Sequence, residues 1–138
     1  MSSLKTVALG MAVLAMLMML AVAAAASEWE LVGAAGPLRF VYVDPARMKD
    51  SSLLARIVGE VYAKFGKEHA MEIDFFDNRA AVPQNVPFTQ EQRRHQRAKF
   101  NFNPKNGMQR FVRIDLVPDP NDATKLRIKE TEEKLPLP

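Results

Sequence analysis

Hydrophobic residues recur at three- and four-residue spacing between Ser52 and Phe65, and charged residues recur on the opposite side of the same segment. This spacing is typical of an amphipathic α-helix with one wide apolar face. Oxygen atoms of Asp50 and Ser51 can cap its N-terminus, and Gly66 stands where a left-handed C-cap residue is favoured. The pattern therefore predicts a core helix over residues 52–65. Its apolar face consists of Leu53, Leu54, Ile57, Val58, Val61 and Phe65.

Shorter segments alternate between apolar and polar residues, which is the pattern of half-buried β-strands. Two strands are predicted before the helix, at residues 28–32 and 38–43, on either side of a glycine-containing turn. A third follows the helix at residues 70–76, with acids on one side and apolar residues on the other. Two more, at 100–103 and 110–116, flank an Asn-Gly pair, which is typical of a hairpin turn.

A second helix is predicted between the third and fourth of these strands. Residues 77–87 contain two prolines and predict a loop. Thr89 and Gln92 then have the spacing of a capping box, which predicts a short helix extending to about Lys99. Because this segment is almost wholly polar, we expect it to lie on the surface.

The fold class predicted from this order of elements is α+β. A small, mostly antiparallel sheet would carry the amphipathic core helix on one face, and the short polar helix would lie on the surface. Residues 27–117 would form this single domain. Prolines and charges after Val117 predict that residues 118–138 are a mostly mobile tail, within which residues 126–129 have the character of a strand.

The first 26 residues have the pattern of a signal peptide. Lys5 precedes an apolar run over residues 7–22, and Ala24 and Ala26 satisfy the A-x-A rule, so cleavage is expected before Ser27. This predicts a bacterial protein of the periplasm or a secreted one; the alternative is an uncleaved leader that anchors the chain in the inner membrane. The chain contains no cysteine, which excludes disulfides, thiolate metal sites, cysteine nucleophiles and a cysteine-linked lipid anchor.

Charge is concentrated in one segment. Residues 93–114 contain seven cations and no acid, whereas the rest of the chain after residue 26 holds 11 lysines and arginines against 16 acids. A local excess favours a binding face rather than nonspecific nucleic-acid binding, and an acidic protein or an anionic envelope polymer is the expected partner. The alternative is that the cations keep an edge strand soluble or pair with the acidic strand. The candidate binding residues are Arg93, Arg94, Arg97, Lys99 and Lys105.

Three acids within six residues, Glu72, Asp74 and Asp77, suggest an alternative function as a carboxylate- or metal-dependent envelope hydrolase. No EF-hand or H-E-x-x-H spacing supports a metal, and no G-x-S-x-G motif supports a serine nucleophile. His95 has no orienting acid that its spacing reveals. No catalytic, metal or cofactor site is therefore assigned.

One resemblance concerns the middle of the chain. Its residues are Phe75, Phe76, Asp77, Pro83, Pro87, Phe88, Thr89, Gln92, Ala98, Lys99, Phe100, Asn103 and Gly107. Together they resemble a pattern in small exported bacterial proteins of uncharacterised role, with an aromatic–acid pair, a proline-containing loop, a capped helix and an Asn-Gly hairpin. The resemblance implies no activity. The leading hypothesis is a small, exported, monomeric binding or accessory protein without catalytic activity.

Overall fold

Six β-strands form one sheet, and their spatial order is the same as their order in the chain. The computed structural model describes residues 27–65 and 69–137. The strands are β1 (Trp29–Ala35), β2 (Leu38–Val43), β3 (Met71–Phe76), β4 (Gln96–Asn103), β5 (Met108–Asp119) and β6 (Asp122–Glu133). The helices are α1 (Ser51–Phe65) and α2 (Gln90–His95), and two 3-10 turns occupy Pro45–Arg47 and Arg79–Ala81.

The sheet is mixed. Its strands pair antiparallel except for β2 and β3, which run parallel. A parallel pair needs a crossover connection, and α1 provides it by carrying the chain back along one face of the sheet. The chain is therefore of the α+β type, with a mostly antiparallel sheet and one crossover helix.

The predicted architecture, a small sheet with a core helix and a short polar surface helix, is wrong in its extent and composition. The sheet has six strands and is mixed, and α1 is the only helix of seven or more residues in the described part of the chain. The helix predicted over residues 89–99 ends at His95. From Gln96 onward, burial of Ala98 and Phe100 on one face of the sheet holds the backbone in the extended conformation.

The sheet also continues past Val117, the predicted end of the domain. Within the segment predicted to be a mostly mobile tail, β6 pairs with β5 from Asp122 to Glu133. Leu135, just after β6, is buried in the main core. β6 is hard to recognise as a strand from the sequence, because nearly all of its side chains, on both faces, are exposed.

The main core lies between α1 and the sheet, as the helical pattern predicted. Leu53, Leu54, Ile57, Val58 and Val61 are buried in it, and Phe65 packs at its margin. Asp50 caps the helix, since its Oδ1 accepts a hydrogen bond from the Leu53 N–H at 3.1 Å. The predicted C-cap at Gly66 and the predicted leader over residues 1–26 lie outside the described residues. No described helix has both the length and the apolar character needed to cross a membrane.

A second, smaller core covers part of the opposite face. Phe40, Phe76 and Val82 form it, and Phe88 packs edge-on against both phenylalanines at centroid distances of 5.5 and 5.6 Å. Val82 and Phe88 belong to the connection between β3 and β4, so this connection is packed across the sheet face. It delivers α2 to the beginning of β4.

Candidate functional site

Two of the predicted binding residues, Arg93 and Arg94, lie on α2. The predicted capping box is present: Thr89 accepts from the Gln92 N–H, and the Gln92 side chain accepts from the Thr89 N–H. Arg94 Nη1 lies 3.6 Å from Glu91 Oε2, with both side chains about two-thirds exposed, so the pair is weak. The Arg93 guanidinium lies 6.0 Å from the centre of the Phe88 ring. Both arginines are exposed to solvent.

Arg97 has a different environment. Its Nε donates to Asp77 Oδ2 at 2.9 Å, and both side chains are only about one-fifth exposed. Asp77 Oδ1 also lies 2.7 Å from His95 Nδ1, and His95 Nε2 lies 3.2 Å from Glu91 Oε1. Sequence reasoning missed this cluster because its members come from the end of β3 and from α2 and the start of β4. Arg97 is thus occupied within the molecule.

Lys99 and Lys105 lie apart from each other. Lys99 stands between Asp74 of β3 and Val112 of β5, on the sheet face away from α1. Lys105 is exposed in the turn after β4. Since a strand rises by about 3.3 Å per residue, β4 separates this turn from α2 by about 23 Å. The structure therefore does not gather the five predicted cations into one cluster.

Other cations are held by carboxylates of the same chain. Arg113 binds Glu133 and the Met48 carbonyl oxygen, and its Nη2 donates to Ser51 Oγ at 2.8 Å. Arg110 pairs with Glu132, Arg79 with Glu30, and Arg47 with both Glu28 and Asp50. Against the carboxylates of the described residues, Arg93, Lys99, Lys105, Arg127 and Lys129 form no ion pair within 4.0 Å.

The acids Glu72 and Asp74 lie together on β3, as their alternation predicted. Asp74 is 1% exposed, and its Oδ1 accepts from Gln96 Nε2 at 2.7 Å. Burial and the neighbouring Glu72 carboxylate raise the pKa of Asp74 to about 8. Its Oδ2 has no hydrogen-bond donor within the described residues. Asp74 also shares a side-chain hydrogen bond with Glu72, and two carboxyl groups can share one only when one of them carries a proton.

Asp77 does not join these two acids, since it is bound to His95 and Arg97. The structure therefore does not bring together in one site the three carboxylates that the hydrolase alternative requires. No group of three or more histidine, aspartate and glutamate residues in the described ranges could hold a metal ion. The groove beside His95 has a volume of about 620 Å³, and Tyr42 supplies the only hydroxyl group of its described lining.

An adjoining groove of about 490 Å³ lies near the start of α1. Its arginines, Arg97 and Arg113, are both paired with carboxylates of its own lining, Asp77 and Glu133. Charges compensated in this way hold the loops to the sheet and leave little net attraction for an ion from solution. Arg93 on α2, Lys99 on β4, and Arg127 and Lys129 on β6 are among the cations that form no such pair.

Comparisons of the chain with protein-family models, with curated proteins and with solved structures found no match.

Proposed function

We propose that the protein is a small exported binding or accessory protein without catalytic activity, and that it holds an acidic partner through the free cations of α2 and β4. The proposal rests on one observation: some cations are paired with carboxylates of the same chain and others are not. Arg97 and Arg113 are held in close, partly buried ion pairs by carboxylates of the same chain. Arg93 and Lys99 form no ion pair within 4.0 Å with a carboxylate of the described residues, and Arg94 forms only a weak one, so these three cations can attract an external partner.

Arg93 and Lys99 belong to the same side of the molecule. Phe88, two residues before α2, packs on the sheet face away from α1 with Arg93 near its ring, and Lys99 projects from that face. Arginine side chains bind carboxylates in a two-pronged geometry that lysine does not offer, so adjacent arginines suit acidic side chains well. Arg93, Arg94 and Lys99 are called the α2 surface below.

An acidic protein fits the α2 surface better than an anionic polymer. Val86 is 48% exposed in the connection that leads to α2, and Phe88 beside Arg93 is only partly buried. Protein interfaces combine apolar contacts at the centre with charged groups at the rim. A hydrophilic polymer would use the charges alone.

The test is recovery of partners by the immobilised mature chain from an envelope extract, at low and high salt, with identification by mass spectrometry. The variant R93E/R94E/K99E reverses the α2 surface. The control K49E/K64E/K134E makes the same change in charge at exposed lysines elsewhere. We expect an acidic protein to be recovered by the wild type and the control, and to be lost at high salt and with the α2 variant.

Binding of that purified protein should then weaken at least about tenfold in the α2 variant. Equal recovery by the α2 variant and the wild type would refute the assignment of the surface. Recovery of an anionic polymer alone, with no acidic protein, would refute the choice of partner.

A further inference from the structure

The last strand presents the longest open edge of the sheet. β6 has 12 residues and pairs with β5 alone in the described part of the chain. The other edge, β1, is seven residues long and has a bulge between Leu31 and Gly33. The Pro83 carbonyl oxygen also approaches Gly33, so the connection between β3 and β4 packs on the face of this strand. Bulges protect an edge from pairing; in β6 the irregularity of the pairing with β5 lies at its start, between Pro118 and Asp119 of β5, and from Leu126 to Glu133 the pairing is regular.

Side chains along β6 form two rows of different chemistry. Glu133 pairs with Phe111 of the main core, and the pairing is regular back to Leu126, so the odd-numbered residues 127–133 of β6 lie on the α1 side of the sheet. This row contains Arg127 and Lys129, and Lys125 precedes it where the pairing is irregular. On the opposite side, Leu126 and Ile128 are 64% and 53% exposed.

The acidic side chains near this row of cations form at most weak ion pairs with it, so the cations can still bind a partner. Lys125 Nζ lies 3.9 Å from Asp122 Oδ2, with the lysine 74% exposed. Lys129 stands opposite Asp115 on β5, without an ion pair, and Arg127 stands opposite Val117. Farther along, Glu130 and Glu132 make the C-terminal half of β6 unsuitable for another acid. The accessible segment is therefore 124–129.

A second copy of the chain is a poor occupant of this edge. Two copies of β6 can pair antiparallel about a two-fold axis with like faces together. In the two such registers with the greatest overlap, Arg127 stands opposite either Arg127 or Lys129 of the second copy. Like charges directly opposite each other destabilise a strand pair. The charge pattern favours a strand with acidic residues in the facing row.

We propose that β6 docks an extended segment of a partner protein in which acidic and apolar residues alternate. The segment would add a seventh strand by main-chain hydrogen bonds, the usual source of affinity in strand addition. Its acids would face Lys125, Arg127 and Lys129, and its apolar residues would cover Leu126 and Ile128. This site is separate from the α2 surface and goes beyond the proposed function.

The probe is a fluorescently labelled, end-capped decapeptide of alternating glutamate and valine, titrated with the mature chain and followed by anisotropy. We expect it to bind the wild-type chain. A peptide of the same composition without strict alternation should bind at least about tenfold more weakly, because it cannot match both rows. A version N-methylated at alternate residues, on the edge that faces β6, should lose binding as well, because it cannot form the main-chain hydrogen bonds.

The variant K125E/R127E/K129E should weaken binding at least about tenfold and should instead bind a lysine–valine decapeptide. This exchange of preference also shows that the variant is folded. The α2 variant R93E/R94E/K99E should bind the glutamate–valine peptide as the wild type does, so the two proposals can fail separately. Unchanged binding of the N-methylated peptide, absence of binding by the wild type, or a wild-type dimer in sedimentation that excludes the peptide would each overturn the inference.

Discussion

Asp74 is a carboxyl group in a position where ionisation is costly. It is buried between a donor, Gln96, and another acid, Glu72, and its pKa is raised to about 8. In the unfolded chain the pKa of the same group is its ordinary value of 3.8. Between these two values the native state holds a proton that the unfolded state releases. Stability therefore falls as the pH rises through this window, and the loss is complete above about 8.

The variant D74N should remove this dependence, since an amide has no proton to lose and can still donate to Glu72. One retained proton corresponds to a slope of about 1.4 kcal/mol per pH unit in the free energy of unfolding. We expect the wild type to lose stability relative to D74N with up to this slope between pH 5 and pH 7.5. Urea unfolding followed by circular dichroism at several pH values measures it. The control is D115N at an exposed carboxylate; parallel curves for D74N and the wild type would contradict the prediction.

Arg97 is expected to stabilise the fold rather than to bind a partner. R97Q leaves the partly buried Asp77 with one cationic partner fewer, and this should lower the free energy of unfolding by about 1–3 kcal/mol. R94Q, at an exposed pair 3.6 Å apart, should change it by less than about 0.5 kcal/mol. Urea unfolding compares the two variants. If R97Q retains full stability but loses the acidic partner, Arg97 belongs to the binding surface after all.

At the scale of elements, local patterns and long-range pairing differ in how well the sequence predicts them. The apolar face of α1 and the capping box of α2 follow from spacing within a few residues, and both are confirmed. The predicted end of α2 is wrong, because a polar segment suits both a surface helix and the start of a strand. The sequence of β6 predicts a mobile tail, because side chains exposed on both faces of a strand have the composition of solvated chain. The parallel neighbours β2 and β3 are set by how α1 packs, which spacing does not reveal.

The connection between β3 and β4 depends on a close approach to β1. A Cβ atom at Gly33 would lie 2.8 Å from the Pro83 carbonyl oxygen, which is backbone and cannot simply rotate away. G33A should therefore lower the free energy of unfolding by about 1–3 kcal/mol. Thermal unfolding is the measurement.

Gly59 provides a matched control for this substitution. It lies within α1, and a Cβ atom there would meet nothing within 4 Å. G59A should stabilise the protein by about 0.5–1 kcal/mol, since alanine restricts the unfolded chain and favours the helix. A loss of stability in G59A, or none in G33A, would contradict this description of the packing.

At the scale of the whole molecule, the cations of the basic segment fall into two groups. Some are paired with carboxylates of the same chain, and others remain available to a partner. Asp77 reaches Arg97 across 20 residues of chain, and Glu133 reaches Arg113 in the same way through β6. No local pattern identifies which cation will find a carboxylate across the sheet. The sequence therefore predicted the basic segment, but not which of its residues would remain available, nor the additional cations on β6.

Cleavage of the predicted signal peptide, residues 1–26, can be tested on the full chain. Expressed in a bacterial host, the full chain should appear in the periplasm or medium with Ser27 as its first residue, as N-terminal sequencing would determine. Replacing Ala24 and Ala26 with leucine should retain the leader, because the cleavage site requires small residues. A wild-type chain that stays intact in the membrane fraction would indicate an anchor instead.

If the chain is exported as proposed, the agreement between strand order and chain order bears on how it acquires its structure. A chain that crosses a membrane unfolded appears from its N-terminus onward, and here each new strand pairs with the strand that preceded it. Only β3 must wait, until α1 has crossed the sheet. No strand needs to be inserted between two already paired, so the sheet can grow in one direction as translocation proceeds. Its growth stops at β6, the edge at which another protein's strand could continue the series.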